Sequence, residues 1–294
     1  MKFRYLALLL CFVHFSVYAE KADSFYETQR KRLNSSNIFE IRDAIDQLTF
    51  VNSNRGIRDI LSALEGTPNF PTSENNAPAV KFYAAKALAK KGEKIAVPVL
   101  IKTFQKESTT LVEHNPPKVR KISDGVFDRT STSSPYFYED GEISMVLACG
   151  EMLRTLGSLP ITEASESTIK QALSHPNFYI RSSAADAMYE TNSKQWLSTL
   201  SEGLGKEQVP YAKISILAAI VGLERLPNQN MKSVTEMLSD QNPEVRKKAS
   251  EALRRLDLRL SAPYLEKAIQ VENHPMVLSQ MKEDYAYLIS FRTP

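Results

Sequence analysis

The feature that most limits what this chain can fold into is that it repeats itself. Asp240 to Leu253 reads Asp-Gln-Asn-Pro-Glu-Val-Arg-Lys-Lys-Ala-Ser-Glu-Ala-Leu, and His175 to Met188 reads His-Pro-Asn-Phe-Tyr-Ile-Arg-Ser-Ser-Ala-Ala-Asp-Ala-Met. Each opens on a polar turn containing proline, then places a β-branched residue before arginine: Val245-Arg246 and Ile180-Arg181. Alanines follow four and seven positions on (Ala249 and Ala252, Ala184 and Ala187), and a large apolar residue at eight. Val80-Lys81 with Ala84, Ala87 and Leu88 fits the same frame. A second marker agrees: Ala96-Val97-Pro98-Val99-Leu100 matches Ser261-Ala262-Pro263-Tyr264-Leu265, and the 165 residues from Pro98 to Pro263 are also the distance from Val80 to Val245.

Positions +4, +7 and +8 share one face of a helix. Alanine on that face lets a neighbouring helix come close, and proline in the first turn loses no helical hydrogen bond. A short turn then leads to a second helix with apolar pairs at i, i+4: Leu100 with Phe104, Leu200 with Leu204, Leu265 with Ile269. One such hairpin cannot bury its own apolar face, so hairpins must stack. Only 10 glycines in 294 residues argue against a strand-and-turn-rich alternative. With the β-branched position as anchor, units are expected at Ile41, Val80, Ile143, Ile180, Ala212, Val245 and Leu278.

Leu238 to Leu253 and Leu173 to Met188 resemble the HEAT-repeat superfamily, including the short HEAT-like form of phycobilisome-lyase-type proteins. The resemblance covers most of residues 38–290. It implies an all-α fold, a right-handed α-solenoid of the armadillo/HEAT type with about six to seven helical hairpins and a concave binding surface. It implies no single activity. Ile143-Ser144 and Leu278-Ser279 depart from the pattern in lacking the basic residue, and Ala212-Lys213 in lacking the branched one. Extra sequence over about 107–142, with Pro116-Pro117, Asp124-Gly125 and a Ser/Thr run from Thr130 to Ser134, reads as a long loop insertion.

Residues 1–19 read as a signal peptide. Lys2 and Arg4 precede the uncharged apolar run Tyr5 to Val17, and Val17-Tyr18-Ala19 offers a cleavage site before Glu20. The run is shorter than the ~20 residues of a membrane span. Lipidation at Cys11 is disfavoured by the bulky Leu10 before it. Residues 20–294 are then the solenoid, exported to the periplasm or secreted, with no membrane span after cleavage. Of 37 basic and 34 acidic residues, Lys2 and Arg4 leave with the leader, so the remainder carries +1. That balance gives no electrostatic reason to expect a nucleic-acid partner. Cys149 remains as the one thiol and reads as a small buried hydrophobe.

No HExxH, CxxC, EF-hand, Walker A, GxSxG or GxGxxG pattern occurs, so no catalytic residue, cofactor or metal is expected. His175-Pro176 and His274-Pro275 are a turn signature. Arg181 and Arg246 repeat with the frame, which suits repeated packing better than repeated chemistry. The expected partner is another protein. Its candidate contacts are the aromatic triplet Tyr136, Phe137 and Tyr138 and the basic run Lys118, Arg120 and Lys121, all in the insertion. The alternative surface is a concave face of second helices around Lys102, Glu202 and Glu266. The function expected is a non-catalytic adaptor or scaffold. A lyase-type enzyme or chaperone for a protein substrate, or a structural component of an envelope assembly, are the alternatives.

Overall fold

A computed structural model describes residues 23–51, 53–66, 77–111, 144–225, 229–256 and 259–290. Among these residues every regular element is a helix: α1 (23–33), α2 (Ile38–Phe50), α3 (Asn54–Glu65), α4 (Ala77–Lys91), α5 (Val97–Ser108), α6 (Met145–Ser158), α7 (Glu163–Ala172), α8 (Phe178–Glu190), α9 (Leu197–Lys206), α10 (Pro210–Glu224), α11 (Gln229–Glu236), α12 (Pro243–Arg255), α13 (Ala262–Val271) and α14 (Pro275–Ser290). No helix among them is long and apolar enough to cross a membrane.

The helix starts follow from the polar turns. The side chains of Asn177 and Asn242 accept from the backbone N–H of Tyr179 and Glu244, satisfying donors that a helix N-terminus leaves open. Pro243 sits in the first turn of α12, Pro210 in that of α10, Pro98 in that of α5 and Pro263 in that of α13. Short 3₁₀ turns at Lys94–Ala96, Lys194–Trp196 and Arg259–Ser261 carry the chain from the first helix of a hairpin into its second.

The even-numbered helices pack in series, α2 on α4 and onward to α14, and the odd-numbered helices back them. Anchors Ile41, Val80, Ile180 and Ala212 are fully buried and Val245 nearly so. Ala184 and Ala249 have no exposed surface and Ala252 almost none. The result is an all-helical two-layer stack of the α-solenoid kind.

Two anchors shift. Ile143 lies outside the described residues, and the helix beside it starts at Met145 behind the cap Ser144. Its buried face runs through Ala148, Met152, Thr155 and Leu156, which puts the anchor at Ala148. In the last unit Leu278 is half-buried while Val277, Met281 and Asp284 face inward, so the anchor is Val277. With those corrections the spacings from Ala148 through Ile180, Ala212 and Val245 to Val277 are 32, 32, 33 and 32 residues. Glu107 and Ser108 belong to α5, so helix extends into the segment read as a loop.

The apolar interior divides at α10. Ile216, Ala219, Ile220 and Leu223 join a cluster that runs back to Tyr26. Ile214, Leu217 and Ala218, on the other side of the same helix, join a cluster that runs on to Leu288.

Candidate functional site

The repeated basic residue has a repeated partner. Arg181 donates from Nε and Nη2 to the two carboxylate oxygens of Glu207, at 2.7 and 3.0 Å, and from Nη1 to the carbonyls of His175 and Pro176. Arg246 does the same to Glu272, at 2.6 and 2.7 Å, and to the carbonyls of Asp240 and Gln241. Each acid also accepts from the backbone that opens the next hairpin, Glu207 from Val209 and Glu272 from His274. Lys81 sits 3.5 Å from Glu107 and donates to the carbonyl of Leu64. The arginines are therefore clamps that tie the turn before a hairpin to the turn after it.

A second charged cluster lies on the even-helix side. Asp186 of α8, only 3% exposed, lies 3.2 Å from Lys248 Nζ and 2.6 Å from Arg255 Nη1, both on α12, and 3.9 Å from Arg154 Nη1 on α6. The Arg255 approach has ion-pair distance without hydrogen-bond geometry. Burial pushes the Asp186 carboxyl up, but Arg255, Lys248 and Arg154 outweigh it and hold it well below the usual carboxylate range. Aromatic rings complete the layer. Tyr211 stacks on Tyr179 at 6.0 Å with Lys248 over its ring, and Arg255 lies over Tyr189.

Helices packed side by side sit about 8–10 Å apart, so α8 and α12, with α10 between them, meet only through long side chains that pass over α10. The side chains of α10 are small there. Its Ser215 hydroxyl meets that of Ser182 at 2.7 Å, and the Tyr189 ring and Leu256 close over Gly222, where a Cβ would sit 2.8 Å from Leu256 Cδ2. The outer face of α10 at this point is thus covered by side chains of α8 and α12. The second helices carrying Lys102, Glu202 and Glu266 form the other layer, and all three side chains are exposed.

Large apolar side chains are exposed at both ends of the hairpins: Phe39, Val271 and Met276 lie away from the turns between first and second helices, and others lie on those turns. Phe50 is 85% exposed at the α2–α3 turn, with Val51 beside it. Lys94-Ile95 occupies the α4–α5 turn, with both residues exposed, and Lys90 nearby is exposed too. The equivalent pairs are Lys194-Gln195, also exposed, and Arg259-Leu260, whose leucine is 64% exposed. These turns occupy the equivalent place in their hairpins, between the first helix and the second. A basic residue followed by an outward side chain recurs at three tips, and in two of them that side chain is a large aliphatic.

Tyr136, Phe137, Tyr138, Lys118, Arg120 and Lys121 all lie outside the described residues. Val80, Lys81, Ile180, Arg181, Ala184, Val245, Arg246, Ala249 and Ala252 lie in the stacked helices, with Lys81, Arg181 and Arg246 in the clamps. Sequence reading missed the acids of the clamps, although one signal was available: Glu107, Glu207 and Glu272 each follow their cation by 26 residues. It also missed Asp186 and the tip pairs. Cys149 is fully buried, and burial pushes its thiol up to about 12, so it is held in the unreactive protonated form. Among the described residues no group of three His, Cys, Asp or Glu side chains is placed to hold a metal.

The HEAT repeat family model matches residues 231–257, which span α11, the turn after it and α12. This match and the all-helical stack support a HEAT-repeat type of helical superfamily. No curated protein matches the sequence.

Proposed function

We propose that the chain is an exported, non-catalytic scaffold that holds another protein along its edge of hairpin tips. The HEAT repeat match supports a protein-interaction role of this general kind. The observation that carries the surface is the recurrence of a basic residue before an outward side chain at Lys94-Ile95, Lys194-Gln195 and Arg259-Leu260. Large apolar side chains turned outward at equivalent positions of a repeat are not needed for stacking, and aromatic and aliphatic anchors flanked by charge are what partner surfaces use. A partner of matching chemistry presents acidic and apolar side chains at the spacing of the hairpins. Export rests on Lys2, Arg4, the apolar run and Val17-Tyr18-Ala19. In this reading the stack is a right-handed superhelix of six to seven hairpins, and Tyr136-Phe137-Tyr138 supplies a further contact from the insertion.

Crosslinking followed by quantitative capture tests it, with the wild type beside a Phe50→Ser/Ile95→Ser/Leu260→Ser variant of equal helicity. Capture lost in the variant is the expected result. Capture unchanged in the variant, but lost when residues 112–143 are replaced by a Gly/Ser linker, would move the binding surface to the insertion.

A further inference from the structure

The hydrophobic interior is divided along α10, which gives Ile216 and Ile220 to one cluster and Ile214 and Leu217 to the other. A stack divided this way bends most easily at the helix shared by both parts, because apart from Leu204 of α9, which packs on both clusters, the apolar contacts that bending disturbs are those of α10. One polar assembly crosses that seam. Asp186 stands before it on α8, and Lys248 and Arg255 stand after it on α12. All three reach over a helix whose side chains there are small, with Ser215 bonded to Ser182 and Gly222 beneath the Tyr189 ring.

We propose that Asp186 is a strap that sets the bend of the stack at α10. Its carboxylate, 3% exposed and held against three cations, draws α12 toward α8, and the aromatic rings of Tyr211 and Tyr189 seat Lys248 and Arg255 for that contact. Without the carboxylate, Lys248 and Arg255 on α12 lose the acid they share on α8, while Arg154 keeps its pairing with Glu151, and the two halves of the stack open about α10. The strap holds the tips after α8 and α12 at a fixed separation. That consequence rests on the reading of the tip edge as the partner surface, whereas the strap itself does not.

The separation can be read in the free protein by pulsed electron–electron resonance. Spin labels go on Gln195→Cys and Leu260→Cys, equivalent exposed tip positions, in the full chain with Cys11→Ser and Cys149→Ala. The labelled parent should give one narrow distance distribution. Asp186→Asn should lengthen and broaden it while circular dichroism shows the helices retained. Lys248→Ala combined with Arg255→Ala removes the other end of the bridge from side chains that are 11% and 24% exposed, less buried than Asp186, and should open the distance even if Asp186→Asn fails to fold. Glu236→Gln, which breaks the exposed pairing with Lys232 within α11, is the control and should leave the distance unchanged. An unchanged distribution in a folded Asp186→Asn or in Lys248→Ala/Arg255→Ala overturns the strap. Because no partner is present, the outcome is independent of whether the tips bind one.

Discussion

Arg181 and Glu207 stand 26 residues apart and meet through two hydrogen bonds of 2.7 and 3.0 Å, and Arg246 and Glu272 repeat the arrangement at the same separation. In both pairs the arginine side chain is 15% exposed and the glutamate 2%. Removing one member of a buried pair leaves the other charged and unpartnered, which costs about 3–5 kcal/mol. Glu207→Ala should therefore lower the free energy of unfolding by roughly 3 kcal/mol in urea. Arg181→Met/Glu207→Leu should lower it by less, because no charge is stranded. A smaller loss in the single variant than in the double would show that the clamp contributes nothing as a pair.

The clamp also shows how far the fold could be read from residues. Val245-Arg246-Ala249-Ala252-Leu253 is legible because capping, proline and alanine spacing all point to one helix start and one buried face. The same logic fails at α6. There Met152 and Thr155 stand where the frame set by Ala148 would have alanines, and the expected anchor Ile143 lies outside the described residues. At α14 the error is one residue: Asp284 takes the place of the second alanine and accepts from Ser250 at 2.6 Å, so a buried acid hides the frame. The strap was beyond the reach of periodicity. Asp186 and Lys248 are 62 residues apart in neither the same repeat nor adjacent ones, and they meet over the small side chains of α10. Periodicity within one repeat cannot report a contact that skips a repeat.

Ala249 has no exposed surface and belongs to the cluster shared by α10, α12 and α14. Ala249→Leu inserts three carbons where a neighbouring helix is packed, at a cost of about 1–3 kcal/mol from overpacking. The urea midpoint should fall accordingly. A neutral result would mean that the contact can open without loss, and that the small side chain is not what sets helix spacing there.

Gly157 offers a test in which the sign is the readout. Glycine to alanine inside a helix ordinarily stabilises by about 0.5–1 kcal/mol. Here a Cβ would meet the backbone of α8, 2.7 Å from Ala187 Cα and closer still to its carbonyl oxygen. Backbone cannot rotate away as a side chain can. Gly157→Ala should therefore destabilise, and thermal unfolding of that variant should begin at lower temperature than the parent. A stabilised variant would place α6 and α8 further apart at this point than described.

The leader makes a prediction about the first residue. Material recovered from the compartment where the protein accumulates should begin at Glu20 and carry one thiol, Cys149. N-terminal sequencing and intact mass decide it. A retained Met1, or a lipid on Cys11, would refute export by cleavage at Ala19.

Glu244 gives the stack a pH dependence whose sign can be worked out. It lies in the first turn of α12, is 5% exposed, and its Oε1 has no hydrogen-bond partner. Burial pushes its carboxyl from 4.5 up to about 7, with Lys247 acting in the opposite direction and Glu251 adding to the rise. The folded chain thus holds this proton more tightly than the unfolded chain does. The stabilisation from that proton is complete below about pH 4.5 and is lost as pH rises through about 7. Glu244→Gln keeps the shape and carries no charge. At pH 8 it should be more stable than the parent by about 1–3 kcal/mol, and at pH 4 the two should unfold at the same urea concentration. Asp186 behaves oppositely, since its carboxyl is held low and its contribution fades only in acid; taking the difference between variant and parent at each pH cancels it together with the other titrating groups. A parent and variant that differ equally at both pH values would show that the Glu244 carboxylate reaches water in the folded chain.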